Sequence, residues 1–252
     1  MHGVIDGLYN YPIKGFTPQA LQTADLSAGQ AFPGDRLYAV EDGPSGFDPA
    51  APVFIRKQSF TVLAKIAKMA QVRSRFDLAT GRLLAEAPGA AKFAGDLTGG
   101  AGKAAFAAWL SGFLGVTASG PLKVIDGQGH RFTDHPQGHI SLINLASLRD
   151  LETKIGLPVD PMRFRGNLYV EGLPAWVEDT WVDKGLCLGV AKARVFSRIV
   201  RCAATQVDPA TGISDLDIPT ALHAHYGHVC CGVYLKIMAD GALQIGDQVT
   251  DL

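Results

Sequence analysis

Arg201 and Cys202, in the run VRCAATQVDPATG, place one thiol beside a guanidinium. A neighbouring cation biases a thiol toward thiolate, the form that attacks electrophiles and binds soft metals. Asp208 and Pro209 mark a turn just downstream. Cys202 is therefore the first candidate for chemistry, against the plainer alternative of one more small apolar filler in a core. The run HAHYGHVCC, His223 to Cys231, gathers three histidines and two cysteines, all of them zinc-ligand types. If it enters a strand toward GVYLKI, Cys230 and Cys231 face opposite sides and cannot share one ion. The segment then reads as turn histidines plus one buried cysteine, and no zinc site is favoured.

Other residues invite weaker readings. Glu178 and Asp179 lie between Trp176 and Trp181, where a carboxyl could be pushed up by apolar surroundings and act as an acid, or could bond backbone amides near a pocket. GGAGKAAF, Gly99 to Phe106, has the look of a phosphate loop but carries Leu97 and Ala104 where that motif needs Gly and Ser or Thr. It reads instead as a linker entering a helix. Lys14 in YPIKG, Arg36 in GDR and Arg165 in RFRGN are separated cations near strand ends or turns. Each alone is a solvated charge; gathered in one cleft, they would hold a phosphate.

Composition limits the partners. The 252 residues are 47% hydrophobic and 19% charged, with a net charge of −1, so no general attraction to nucleic acid or anionic membrane is expected. Four cysteines without repeated spacing make no disulfide framework, which points to a reducing compartment. The N-terminus lacks a charged segment followed by a long apolar one, and no run approaches the ~18 apolar residues of a membrane span. A cytoplasmic protein is the expectation.

The elements that must position these residues are mostly strands. Gly3 to Tyr11, Ala20 to Leu26 and Arg36 to Val40 read as extended, and DLATGR, Asp77 to Arg82, as a hairpin turn. Phe106, Leu110, Phe113 and Leu114 recur at helical spacing before Gly115. A second helix runs from Asn144 as N-cap to Gly156 as stop. Arg163 to Val170, Gly185 to Phe196 and Gly232 to Val249 carry strand signals, with Asp240-Gly241 predicting a hairpin. The expected architecture is mainly β: two domains, 1–115 and 116–252, with a few peripheral helices.

Taken in order, YPIKG, GDRLYAV, FRGN, EDTW, RCAATQVDPATG, YGHVCCGVY and GALQIGDQV give the chain a resemblance to MOSC-domain proteins, named after the C-terminal domain of molybdenum cofactor sulfurases. The resemblance covers nearly the whole chain. It implies a small N-terminal β-barrel-like domain packed on a MOSC β-barrel. It also implies a molybdenum cofactor, a molybdopterin, with Cys202 as metal ligand and catalytic residue, Lys14, Arg36 and Arg165 on the phosphate, and Asn167 and Arg201 nearby. His228, Cys230 and Cys231 could line the site as well. FRGN departs from the FRPN of many relatives, such as the mitochondrial amidoxime reducing component, and Gly166 should loosen the backbone between Arg165 and Asn167.

The implied activity is reduction of small N-hydroxylated compounds. The chain has no iron–sulfur spacing and no GxGxxG loop, so a reductase needs a separate ferredoxin-like or flavin electron donor. The alternative is a sulfur or cofactor carrier using a Cys202 persulfide, without turnover of its own. No pyridoxal phosphate is expected, because the chain has no room for the desulfurase domain fused to some relatives.

Overall fold

The computed structural model describes residues 2–115, 120–137 and 140–252. Residues 116–119, where the expected division between domains falls, lie outside the described residues. In chain order the elements are β1 (His2–Asn10), β2 (Gln19–Leu21), β3 (Thr23–Leu26), β4 (Tyr38–Asp42), β5 (Arg73–Phe76), β6 (Arg82–Glu86) and β7 (Phe93–Asp96). There follow α1 (Gly100–Leu114), β8 (Leu122–Asp126), β9 (Ile140–Asn144), α2 (Leu145–Ile155), β10 (Leu168–Glu171), β11 (Gly185–Leu188) and β12 (Ala191–Val200). The chain ends with α3 (Ile218–Tyr226), β13 (Cys230–Ala239), β14 (Gly241–Gln244) and β15 (Gln248–Asp251). The fold is mainly β with peripheral helices, as expected.

Seven strands close into a barrel in the order β10, β9, β13, β12, β11, β15, β1 and back to β10. The first strand of the chain thus completes a ring built otherwise from the second half, pairing antiparallel with β15 on one side and β10 on the other. Closure leaves no unpaired edge in the ring. Period-two patterning fills it: Ala191, Ala193 and Val195 point inward from β12, and Val233, Leu235 and Ile237 from β13, while Lys192, Arg194 and Lys236 stay outside. β9 is buried along its whole length, because Ile140 and Leu142 face the barrel core while Ile143 faces a second layer with Leu148, Leu151, Ile218 and Leu222 of α2 and α3.

β9 and β10 run parallel, which requires a crossover, and α2 supplies it. Its ends are those the sequence predicts. The Asn144 side chain accepts from Ala146 N–H at 3.0 Å, and Gly156 stops the helix at φ 74° while donating to Glu152 O. The β5–β6 hairpin also forms as predicted, with Gly81 at φ 70° in its turn.

Two local expectations are corrected. Asp240-Gly241 does not make a β13–β14 hairpin. β14 leaves the barrel to pair with β3, the Asp240 carboxylate accepts from Ala28 N–H at 2.7 Å, and Gly241 lets the backbone pass where a Cβ would sit 2.6 Å from Ala191 N. His223 and His225 belong to α3 rather than to a turn, and both Cys230 and Cys231 are buried.

The first half wraps its own core around α1. Phe106, Leu110 and Phe113 share a core with Phe16 from the loop after β1 and with Tyr38, Phe76 and Leu83 from the β4–β8 ribbon and the β5–β6–β7 meander. A glycine in the first turn of α1 serves that packing. A Cβ on Gly102 would lie 1.7 Å from Asp96 O, whereas one on Gly112 would meet nothing. Gly102→Ala is expected to lower stability by about 1–3 kcal/mol through overpacking. Gly112→Ala, on an exposed turn of the same helix, is expected to raise it by about 0.5–1 kcal/mol. Urea denaturation of the two variants beside the parent protein checks both signs.

Candidate functional site

Antiparallel pairing of β1 with β10 decides which residues meet at the mouth of the barrel. Leu8 stands opposite Leu168, so the residues after β1 face those before β10. Tyr9 N–H donates to Asn167 O at 2.8 Å, the Asn167 amide donates to Tyr9 O at 3.1 Å, and Tyr11 Oη donates to Gly166 O at 3.1 Å. Asn167 Oδ1 accepts from both the backbone N–H and the hydroxyl of Ser141. Asn167 thus locks β1, β9 and β10 together, and it also lines the cavity described below.

Gly166 is no loose link. Its N–H donates to Tyr169 Oη at 3.0 Å, and a Cβ would lie 2.4 Å from Ile143 Cγ1. Close packing, rather than a glycine-only backbone angle, accounts for it.

Beside this lock sit two arginines with left-handed backbones, Arg36 at φ 47° and Arg165 at φ 52°. Non-glycine residues are uncommon there, and the strain is of order 1–3 kcal/mol where surrounding structure imposes it. Here the imposition is visible. Arg36 N–H donates to Tyr11 O, its guanidinium pairs with Asp35 and reaches Arg165 O at 3.3 Å, and Asp35 in turn accepts from Tyr11 N–H. Both guanidinium carbons stand over the Tyr11 ring, at 4.3 and 4.4 Å. Arg165 also donates to Phe16 O at 2.8 Å.

These cations open onto a cavity of about 530 Å³ between the two halves, lined by Lys14, Arg36, Lys57, Arg163, Arg165, Arg198 and Arg201, with Asp134 as the acid among its lining residues. The protein as a whole is nearly neutral at −1, so the concentration is local. The partners differ. Lys14 pairs with Asp134 and donates to Phe132 O; Arg163 pairs with Asp208 and Asp215; Arg198 pairs with Asp179. Arg165 and Arg201 instead donate to backbone carbonyls, and neither has a carboxylate partner among the described residues. Carbonyls satisfy the N–H groups without cancelling the charge.

Cys202 lies at the same cavity, directly after β12. Register shifts along β12, between Val195 and Ser197 and between Arg198 and Val200, break the alternation of faces, and residues 197 to 202 line the cavity in succession. The Cys202 carbonyl accepts from Thr205 N–H and Thr205 Oγ1, which fixes the turn.

The cation beside the sulfur corrects the sequence reading. Arg201 is turned away onto Cys231 O and Phe164 O, and Lys57 places its Nζ 3.0 Å from Cys202 Sγ. Lys57 and Asp134 escape sequence reasoning, since they come from loops far from Cys202 and carry no motif; Tyr234 closes the YGHVCCGVY run, but nothing in that run points it to this cavity.

The remaining candidates lie elsewhere. Burial raises the Glu178 carboxyl, which nevertheless accepts from Asn144 Nδ2 and Ser147 Oγ and so holds α2 to the turn at 177–181. His228 faces Asp179 at 3.5 Å and packs near Trp176 and Tyr226, away from the cavity lining. Burial pushes the Cys231 thiol up to about 12. Among the described residues no group of three or more His, Cys, Asp or Glu could hold a metal ion, and no helix is long and apolar enough to cross a membrane.

Such a molecule belongs to a definable class: a two-part β protein whose barrel mouth presents one thiol inside a cation-lined cleft. Residues 2–117 match the MOSC N-terminal beta barrel domain and residues 129–250 the MOSC domain, and the chain belongs to the MOSC-domain family. It is 37% identical over 122 residues to mitochondrial amidoxime reducing component 2 of Rattus norvegicus, a match that takes in 44% of this chain and 36% of that protein. It is 32% identical over 133 residues to molybdenum cofactor sulfurase of Caenorhabditis briggsae, across 51% of this chain and 18% of the relative. The chain thus spans well under half the length of either relative. A solved structure, the YUAD protein from Bacillus subtilis, aligns over 99% of this chain and 94% of its own at 13% identity and a TM-score of 0.47.

Asp134 makes the electrostatics testable. Burial works to raise its carboxyl, but Lys14, with help from Lys57 and Arg36, brings it down to about 2. An unfolded aspartate titrates near ~3.9, so the stability this group contributes is present above that pH and lost as pH falls toward about 2. Asp134→Asn should therefore be less stable than the parent at pH 7, with the gap closing between pH ~4 and ~2. Urea midpoints measured across that range would reveal it; a gap independent of pH contradicts the assignment.

Proposed function

We propose that this protein binds a molybdenum-bearing pterin cofactor in the cleft and uses it to reduce small N-hydroxylated compounds, with electrons from a separate ferredoxin-like or flavin donor protein. One observation carries the reading: a thiol from one half and cations from both halves converge on one cavity of about 530 Å³. The donor set fits such a group. A lone thiolate suits a soft metal that has its other ligands from the cofactor, and guanidinium groups held by carbonyls keep a net positive charge for a phosphate. Cys202 would hold the metal, while Arg165, Arg36 and Lys14 would hold the phosphate. When bound, the cofactor supplies the two-electron chemistry that an N–O bond requires.

The chain's own residues do the rest. Arg36 and Arg165, locked over Tyr11, are pre-set and lose little freedom on meeting an anion. Lys14, whose ammonium is disfavoured by burial and favoured by Asp134, adds charge at the same end. The relatives' names support this reading, since one is an amidoxime reducing component and another a molybdenum cofactor sulfurase. The second of these favours an alternative, in which Cys202 carries sulfur or finished cofactor to another enzyme and turns nothing over.

The test is purification from a host that makes molybdopterin, elemental analysis, and reduction of a hydroxylamino substrate with an artificial donor. Stoichiometric molybdenum with turnover, both lost in Cys202→Ala, is the expected result. Molybdenum without turnover, or cyanide-labile sulfur on Cys202 without metal, overturns the reductase in favour of the carrier. Arg165→Ala should weaken cofactor retention roughly tenfold or more, the cost of one charged hydrogen-bonding partner; unchanged occupancy removes Arg165 from the phosphate site.

A further inference from the structure

We infer that Tyr234 recognises the N-hydroxyl group of the substrate, from an aromatic wall that makes the cleft prefer flat, conjugated compounds. The inference rests on the reductase reading and adds the residue that orients what is reduced. Tyr234 lines the cavity, and its hydroxyl has no hydrogen-bond partner among the described residues. Tyr11, Tyr169 and Tyr226 differ, since each donates to an oxygen of the protein. A phenol taken out of bulk water ordinarily finds such a partner, and one left open to a cavity is available to a ligand.

The ring is fixed before any ligand arrives. On β13, Tyr234 stands opposite Ser141 of β9 on one side and Ser197 of β12 on the other. It lies nearly parallel to Phe196, at 9° with 5.8 Å between centroids, and His135 packs against both rings at 5.2 and 5.6 Å. Contacts of this kind hold the plane of the ring, and with it the line along which the hydroxyl points. The register shift between Val195 and Ser197 lets consecutive residues of β12 serve the same place, Phe196 backing the tyrosine while Ser197 lines the cavity.

The surroundings leave this hydroxyl suited to an N-hydroxyl group. Asp134, Arg201, Arg36 and Lys57 act on it electrostatically, and all four line the same cavity. Guanidinium and ammonium groups only donate and a carboxylate only accepts, whereas a phenol does both, as an N-hydroxyl group does. Of the other hydroxyls at the cavity, Ser141 bonds Asn167, Thr133 the His135 carbonyl and Thr205 the Cys202 carbonyl, and Ser197 stands open beside Tyr234. Lys57 also contacts Cys202 Sγ at 3.0 Å, so hydroxyl and sulfur share a neighbour. His135 and Tyr234 both line the cavity, and a flat conjugated ligand gains a stacking contact there that a puckered one does not.

Binding without an electron donor, so that nothing is turned over, tests the assignment. Calorimetry on the protein as purified would compare benzohydroxamic acid, benzamide and cyclohexanecarbohydroxamic acid for the parent, Tyr234→Phe and Tyr234→Leu. The parent should bind benzohydroxamic acid the most tightly of the three. Tyr234→Phe keeps the ring and should weaken benzohydroxamic acid roughly three- to tenfold, the worth of one neutral hydrogen bond, while leaving benzamide unchanged. Tyr234→Leu should also erase the preference for the aromatic over the saturated hydroxamic acid. Equal affinity of the parent and Tyr234→Phe for benzohydroxamic acid overturns the proposal, as does an equal loss for benzamide, which marks a merely structural effect, or a parent that binds none of the three. Absence of molybdenum or of turnover from the parent would count against the reductase reading alone, because the affinity comparison depends on neither.

Discussion

Closure of the barrel by β1 is the constraint on which the rest of the structure depends. A ring of strands leaves no free N–H or C=O edge, so the strand that completes it is fixed in register by every ladder bond on both sides. That strand is the first in the chain, and its end opens into the smaller β body. Pairing β1 against β10 brings Tyr9 and Tyr11 onto Gly166 and Asn167, and with them Arg36 onto Arg165 and Lys14 into the same cavity. The cleft is a consequence of that one antiparallel pairing rather than of two finished domains docking.

Electrostatics in the cleft work by choosing partners that do not neutralise. A buried guanidinium left without hydrogen bonds costs several kcal/mol, and one paired with a carboxylate loses its attraction for an anion. Arg165 and Arg201 avoid both outcomes by donating to main-chain carbonyls. The left-handed backbones of Arg36 and Arg165 are the conformational cost of aiming those groups, and the Tyr11 ring between their contacts helps to keep them there. Lys14 is different, since Asp134 already holds its ammonium. An anion arriving at this end meets two arginines of undiminished or partly compensated charge and a lysine that shares its charge with a carboxylate.

Local signals were readable where local geometry was sufficient. Asn144 and Gly156 cap α2 because an amide acceptor and a residue free to adopt positive φ satisfy helix ends without outside help. The DLATGR turn forms for a similar reason. Asp240-Gly241 carries an equally strong turn signal and fails, since β3 offers β14 a ladder that the sequence window does not contain. Gly102 of GGAGKAAF likewise answers to the carbonyl of Asp96 at a packing contact.

Composition, residue spacing and ordered motifs determined that the chain would be a mainly β protein of two parts, and singled out Cys202 and three separated cations as candidates for its chemistry. Tertiary structure alone decided what stands beside that sulfur. Arg201 is its covalent neighbour, yet a strand-end side chain goes where carbonyls accept it, and Lys57 arrives from 145 positions away. Contacts of that span are set by ring closure and by the packing of a loop on a distant core, which no short stretch of sequence encodes.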